Sequence, residues 1–436
     1  MTVIAPDASG WTVLSRGITG QQRQGFNLHI GQGWGTGSNY MDKLRSINAR
    51  VWRDSISWGT AEPSAGNYVF SPTGSAASQQ IFAALARVAS QNYDIAYIPV
   101  MAYGNGPVYA EDSTSAIWQG HFADYVHEIC SQMYTRGYTN FSPEIWNEPN
   151  LTNFSTHYDS ISEVPDLVAL IAASYTKVKS VNAGLQVTAP TVADPMWGGG
   201  YSAWTSAFLS APGCAAAVDA FSLHYYGNGQ PQKEPEELYA LIKQTCDFVK
   251  SQWGLGKKLH LTETGYFTGN TFYALTQAKQ AEYYSRYPFL LRAVPLEYIT
   301  YYALRDDGAD GGSNNSFGVF LNDGSTPKTS AAAVTAAFGH VHAANNASYR
   351  KKGVIQAVHM TVPGSGSRLA VWQTTGSVQS ATFKINSPSS GTLTIETIGV
   401  SSTTQALTTG SNTVTISPAK TAIVLSANVG IVFPEM

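Results

Sequence analysis

Between residues 22 and 340, short apolar runs rich in β-branched and aromatic residues alternate with longer stretches of helical period. Eight such runs lie at 25–30, 49–54, 94–101, 140–146, 186–190, 220–225, 258–262 and 296–304. The segments between them, such as 78–90, 118–136, 164–182, 235–252 and 276–291, are each long enough for a helix. A strand followed by a crossover helix returns the chain to the same end of the sheet, so repetition of the unit builds a parallel sheet. Eight units predict a closed (β/α)8 TIM barrel, an α/β fold that spans 22–344 here and is typically about 250 residues or more in length. After residue 345 the runs shorten and alternate residue by residue, as at 368–373, 380–385, 391–397 and 422–426, with Gly, Ser and Thr between them. That pattern predicts a small C-terminal antiparallel β-sandwich over 345–436. Residues 1–21 form an N-terminal segment in which 11–16 either adds a strand to the sandwich or is a loose arm.

In a (β/α)8 barrel the chemistry sits at the C-terminal ends of the strands, where the loops converge. Run four ends in Glu144-Ile145-Trp146-Asn147-Glu148-Pro149-Asn150 and run seven in Leu261-Thr262-Glu263-Thr264-Gly265-Tyr266. Pro149 and Gly265 stop the strands, which leaves Glu148 and Glu263 at strand ends four and seven, across the barrel mouth from each other. A single glutamate is most often a solvated surface group. Two of them at facing strand ends supply what hydrolysis of a glycosidic bond requires: one carboxyl to protonate the leaving oxygen and one to meet the positive charge at the sugar carbon.

The rest of the sequence narrows the partners. A net charge of −3 with 13% charged residues provides no basic field for nucleic acid. No apolar stretch reaches the roughly 18 residues that cross a bilayer, so no membrane partner is expected. Residues 1–25 lack a signal peptide, yet Met1-Thr2-Val3-Ile4-Ala5-Pro6 reads as a mature region given a new start codon. A secreted or extracytoplasmic location is expected, with the cytoplasm left open. Cys130, Cys214 and Cys246 have no metal-like spacing and read as buried small apolar groups, with a Cys214–Cys246 bridge as the alternative. Glycosylation sequons at Asn140, Asn150, Asn153, Asn314 and Asn346 include one two residues from Glu148, where a glycan would crowd the cleft; this weakly favours a bacterial source. The acidic, Gly-rich loop after Arg305 fails the EF-hand spacing and reads as a solvated turn. No metal and no cofactor is expected, and the chain is expected to be a monomer.

The motif from Glu144 to Leu151, with Thr262-Glu263-Thr264-Gly265-Tyr266, resembles the retaining (β/α)8-barrel glycoside hydrolases of clan A, and is most similar to family 39. The resemblance implies a carbohydrate substrate, an oligo- or polysaccharide cleaved by double displacement through a covalent glycosyl-enzyme. It implies Glu148 as general acid/base, Glu263 as nucleophile, and Asn147 as donor to the hydroxyl beside the reacting carbon. Arg53, ending run two, would hold the nucleophile ionised, or else be a structural tie to Asp54. His224 and Tyr226 share one face at the end of run six, where the clan keeps a Tyr or His against the nucleophile; a core histidine is the competing reading. His29 and Tyr103 end runs one and three beside the same sugar. Tyr302 stands where many clan members carry Trp. Trp34 and Trp197, with Trp58, Trp118 and Tyr266, are candidates for stacking on sugar faces, about half of them being ordinary packing. A transglycosylase and a non-catalytic sugar-binding protein are the rival functions. The sparse aromatics of the sandwich, with Trp372 in a strand, favour a buttress over a glycan-binding module.

Overall fold

The computed structural model describes residues 10–155, 157–195, 201–226, 231–309, 312, 315–375 and 379–436. After β1 (Thr12–Arg16) come the strands of a parallel eight-stranded sheet: β2 (Arg23–Asn27), β3 (Val51–Ser55), β4 (Ala96–Met101), β5 (Glu144–Ile145), β6 (Val192–Ala193), β7 (Ala220–His224), β8 (Lys258–Thr264) and β9 (Tyr298–Tyr301). Their spatial order is β5-β4-β3-β2-β9-β8-β7-β6, and parallel bridges Glu144↔Thr188 and Asn147↔Thr191 join the two edges into a barrel. Both faces of these strands are covered, so all six residues of β4 and all five of β7 are buried.

The outer helices follow from their capping and spacing. Helix Ala116–Thr135 begins where the Ser115 hydroxyl accepts the Trp118 N–H, and it buries Phe122, Val126, Ile129 and Met133 along one stripe. Helix Pro235–Trp253 begins with Pro at its first position, and Gln277–Arg292 at a Thr276 cap that accepts from Lys279.

The fifth barrel strand differs from the expected 186–190. The regular pairing is at Val192–Ala193, with Thr188 making only isolated bridges to Glu144 and Ala220. Pro190 lacks the N–H a continuous ladder needs, so the strand is split around it. Likewise β5 is reduced to two residues, between Pro143 and a left-handed Trp146.

The C-terminal strands are β10 (Asn346–Lys352), β11 (Ile355–Val362), β12 (Gly366–Gln373), β13 (Ala381–Ser387), β14 (Gly391–Thr397), β15 (Ser401–Leu407), β16 (Gly410–Ile416) and β17 (Ile423–Ala427). They form an antiparallel seven-stranded sheet, β1-β10-β11-β12-β17-β14-β15, and a two-stranded sheet, β13-β16. The central strands β11, β12 and β17 of the large sheet are covered on both faces, with strict alternation between them. Val358, Ala370, Trp372 and Val424 pack toward the barrel, whereas Ala357, Leu369, Val371 and Leu425 pack with Phe383, Ile385 and Val414. At the seam Trp372 is fully buried, stacks on Tyr349 and donates its indole N–H to Glu236 at 2.7 Å. Arg286 donates to the Lys420 carbonyl, and the Ala422 N–H to Ser285. Cys130, Cys214 and Cys246 are buried free thiols, so no Cys214–Cys246 bridge forms.

Candidate active site

The strand ends bring a set of polar side chains into one place. Beyond β5 the chain turns sharply: Trp146 has φ 74° and Glu148 φ 43°. The left-handed region is costly for such side chains and persists only when the surroundings impose it. Here Trp146 is wedged against Tyr158 and Phe122, and its N–H bonds to the Met101 carbonyl at 2.8 Å. The turn thus directs Glu148 toward Glu263, and ligand-type oxygens of the two carboxyls lie within 4.8 Å of each other.

Glu263 sits among donors. Arg53 Nη1 reaches its Oε1 at 2.7 Å and the Tyr226 hydroxyl its Oε2 at 2.6 Å. Arg53 is held by its remaining nitrogens: Nε and Nη2 donate to Glu144 Oε1 at 3.0 and 2.6 Å, Nη1 to Asn27 Oδ1 at 3.0 Å, and Nη2 to Asn147 Oδ1 at 2.8 Å. The other oxygen of Glu144 accepts from Ser222 at 2.9 Å. A fully buried carboxylate therefore balances the guanidinium and fixes its fork. Asp54 turns the other way and accepts the Ile30 and Gly31 N–H groups, so Arg53 is not a tie to Asp54. Because Asn147 Oδ1 is taken by Arg53, its Nδ2 is the donor end; it donates to the Tyr103 hydroxyl at 3.3 Å and keeps a second N–H at the edge of the cavity.

Glu148 has different company. His224 Nδ1 stands 2.7 Å from its Oε1 and 3.5 Å from Glu263 Oε2, so the histidine serves Glu148 before Glu263. Burial, then the Arg53 charge, hold His224 far below its ordinary pKa, and it is neutral. A neutral imidazole has one N–H, and Nε2 has no partner, so the tautomer that wastes no donor carries its proton on Nδ1. Burial raises Glu148 well above the carboxylate range, and the charge of Glu263 adds to the rise. Burial also raises Glu263, but Arg53 and Tyr226 pull it back. The pair is asymmetric: burial pushes both carboxyls up, but only Glu263 is hydrogen-bonded by a guanidinium and a phenol that favour its ionised form.

Arg53, Asn147, Glu148 and Glu263 line a cavity of about 440 Å³ with His29, Trp34, Tyr103, Tyr302 and Asp307, and His224 and Tyr226 stand behind the two carboxyls. The His29 ring meets Trp34 edge-on at 4.5 Å and tilts on Tyr302 at 5.4 Å. Arg305 lies over the Trp34 face at 4.4 Å. Tyr302 donates to Asp307 at 2.5 Å, and burial pushes the Asp307 carboxyl up to about 6. Trp58, Trp118 and Tyr266 are buried packing residues, Trp58 being stacked on Tyr125 and Tyr266 enclosed by Tyr283, Tyr284 and Tyr287. Trp197 lies outside the described residues. Asn150 is buried and exchanges two hydrogen bonds with Ala193, which leaves its sequon no room for a glycan. In the acidic loop Asp306 pairs with Lys328 at 2.7 Å. Among the described residues, the one cluster with metal-ligand donors in reach of each other is Glu148, His224 and Glu263, the same atoms.

Sequence reasoning missed Glu144, Asn27 and Asp307. Glu144 opens the strand-four motif and Asn27 lies two residues before His29 on the same face, so alternation alone pointed to both. Asp307 gave no signal beyond its loop.

The sequence matches no protein-family model and no curated protein. Solved structures share the fold. A family 39 glycoside hydrolase from the gut symbiont Bacteroides cellulosilyticus WH2 superposes with a TM-score of 0.69 at 18% identity, over 94% of this chain and 81% of its own. A family 30 endoxylanase from Clostridium papyrosolvens C71 gives 0.64 at 13% identity, over 96% and 98%. A monomeric beta-xylosidase from Caulobacter crescentus CB15 gives 0.63 at 14% identity, over 94% and 97%. The fold shared with these structures is a TIM barrel with a β-rich C-terminal domain.

Proposed function

We propose that this protein is a retaining glycoside hydrolase that cleaves O-glycosidic bonds in an oligo- or polysaccharide. The observation that carries the reading is the asymmetric pair: a buried and a half-buried carboxyl with oxygens within 4.8 Å, the half-buried Glu263 surrounded by donors and the buried Glu148 next to a neutral histidine. A retaining pair stands about 5 to 5.5 Å apart, whereas an inverting pair needs about 6.5 to 9.5 Å to admit a water. The fold neighbours, a glycoside hydrolase, an endoxylanase and a beta-xylosidase, support the same class of substrate.

In the first step a Glu263 oxygen bonds to the anomeric carbon as the glycosidic C–O bond breaks, and the Glu148 proton passes to the leaving oxygen. In the second, Glu148 takes a proton from water while that water displaces Glu263 from the sugar. Asn147 Nδ2, freed by the Arg53 bond to its oxygen, donates to the neighbouring sugar hydroxyl. His224, donating to Glu148 Oε1, leaves Oε2 as the oxygen that carries the transferred proton. A test is azide rescue. Glu148→Ala should turn over aryl glycosides with good leaving groups and recover with azide to give a glycosyl azide of retained anomeric configuration, whereas Glu263→Ala should be inactive without azide and any azide product it forms should have the inverted configuration. Full activity in either variant contradicts the reading.

A further inference from the structure

The loop after β9 faces two cavities. With Asp307 and Asn315 it walls the catalytic cavity, and with Asp306, Gly308 and Ser316 it walls another of about 400 Å³. No described residue lines both. The second cavity is completed by the loop that leads from β8 to helix Gln277–Arg292, with Thr268 and Gly269 on its outgoing leg and Leu275 and Thr276 on its returning leg.

The two legs are pinned together. Thr268 and Leu275 pair in an isolated bridge, and the Leu275 N–H donates to the Phe267 carbonyl at 3.1 Å. Gln232 Nε2 donates to the Phe267 and Tyr273 carbonyls, each at 2.9 Å. The tip between the legs is therefore held in place. It carries Phe272, which is 92% exposed, and Tyr273, 38% exposed, whose rings meet edge-on at 4.9 Å. One exposed ring is ordinary on a protein surface. Here two rings stand on a pinned loop whose legs frame a cavity, and the cavity indicates what they would touch. Lys328, 3% exposed, donates to Asp306 Oδ1 at 2.7 Å, to Thr268 Oγ1 at 2.9 Å and to the Ser316 carbonyl at 3.1 Å, so the charges among the described walls cancel. Leu275 and Leu321 add apolar surface, and Thr276, Gln277 and Asn322 add uncharged polar groups. The volume lies within the roughly 300–1,000 Å³ of small-molecule sites. A pyranose presents an apolar C–H face and a rim of hydroxyls, which ring faces and neutral amides and hydroxyls match. A charged ligand would be desolvated without a counter-charge.

We propose that this loop tip and its cavity form a second sugar-binding site, outside the catalytic cavity, which holds a neutral segment of a polysaccharide while another segment is cleaved. The choice of a sugar as ligand rests on the glycosidase reading. The test is affinity electrophoresis in gels containing arabinoxylan, mixed-linkage β-glucan or galactomannan. It uses Glu263→Ala, which leaves the polymer intact, alone and combined with Phe272→Ala/Tyr273→Ala, Phe272→Leu or Phe272→Trp. At least one polymer should retard Glu263→Ala. The apparent Kd should rise about tenfold when both rings become Ala, should rise with Phe272→Leu, and should hold with Phe272→Trp. With Glu263 intact, Phe272→Ala/Tyr273→Ala should lower kcat/KM about tenfold on that polymer and leave it unchanged on an aryl glycoside, at an unchanged melting temperature. Retardation that is absent, or indifferent to the rings, overturns the second site alone. Phe272→Leu binding as tightly as the parent, or a dimer that Phe272→Ala dissociates, assigns the rings to general apolar or protein contact and also overturns it. Ring-dependent retardation of a protein that hydrolyses no glycoside or polymer leaves the second site standing and overturns the glycosidase reading.

Discussion

Glu148 and Glu263 are a few ångströms apart, yet they occupy unlike corners of one site. The Glu263 corner is built from donors: a guanidinium locked by Glu144, Asn27 and Asn147, and a tyrosine hydroxyl. The Glu148 corner is built from burial, a neutral histidine and a strained turn. Two chemically identical side chains are pushed apart in acidity because donors favour the ionised form and desolvation disfavours it. The work of separating them falls to the surroundings, and each of the following changes attacks one corner without the other.

The largest effect is expected from Glu263→Ala, with kcat reduced on the order of 10⁴-fold on every substrate, measured by steady-state kinetics. Glu148→Ala should match it only on substrates with poor leaving groups. Tyr226→Phe removes a donor that serves Glu263 alone; kcat/KM should fall about 10²-fold. Loss of a bond to the ionised form raises the Glu263 pKa, so the acid limb of the pH profile should move to higher pH.

His224→Leu, which carries no side-chain donor, sharpens the contrast from the other side. Without the Nδ1–H donor the ionised form of Glu148 is less favoured, so the alkaline limb should move up while the acid limb stays. A loss of about tenfold in kcat/KM is expected, within the range of acid-base assistance. Movement of the acid limb would instead assign His224 to Glu263.

The smallest effect is on stability. Glu148 is raised in the folded protein, so its native form keeps a proton that the unfolded chain gives up at an ordinary carboxylate pKa. Stability therefore falls as pH rises from that ordinary value through the raised one. Glu148→Gln removes the proton uptake that folding costs above the ordinary carboxylate pKa and should raise the melting temperature by about 1–3 °C at neutral pH, with the gap closing below the ordinary carboxylate range. Thermal melts across pH check both the sign and the window.

The contrast between the corners also explains what the sequence disclosed. The barrel was legible because each strand is an apolar run between helical patterns, and the misplaced fifth strand follows from Pro190, whose missing N–H overrides an otherwise β-like run. The strand-end positions of Glu148 and Glu263 were legible because a proline or glycine closes each run, and that of Arg53 because it lies at the end of an apolar run. Their surroundings were not. Asn27 meets Arg53 only through the β2–β3 register, and Glu144 only because β3 and β5 both point polar side chains into the barrel. The division of His224 between the two carboxylates rests on 2.7 against 3.5 Å, which no pattern of residues encodes. Aromatic side chains near strand ends read alike in sequence, yet Trp34 lines the cavity and Trp58 is core, because exposure depends on what the neighbouring loops cover.

The assignment of the two corners is tested most directly by trapping the intermediate. An activated 2-deoxy-2-fluoro glycoside, of a sugar the enzyme turns over, is incubated with the protein, and the digest is mapped by mass spectrometry. The account predicts one covalent glycosyl adduct, on the peptide containing Glu263. An adduct on the Glu148 peptide, or turnover with inversion at the anomeric carbon and no adduct, would contradict it.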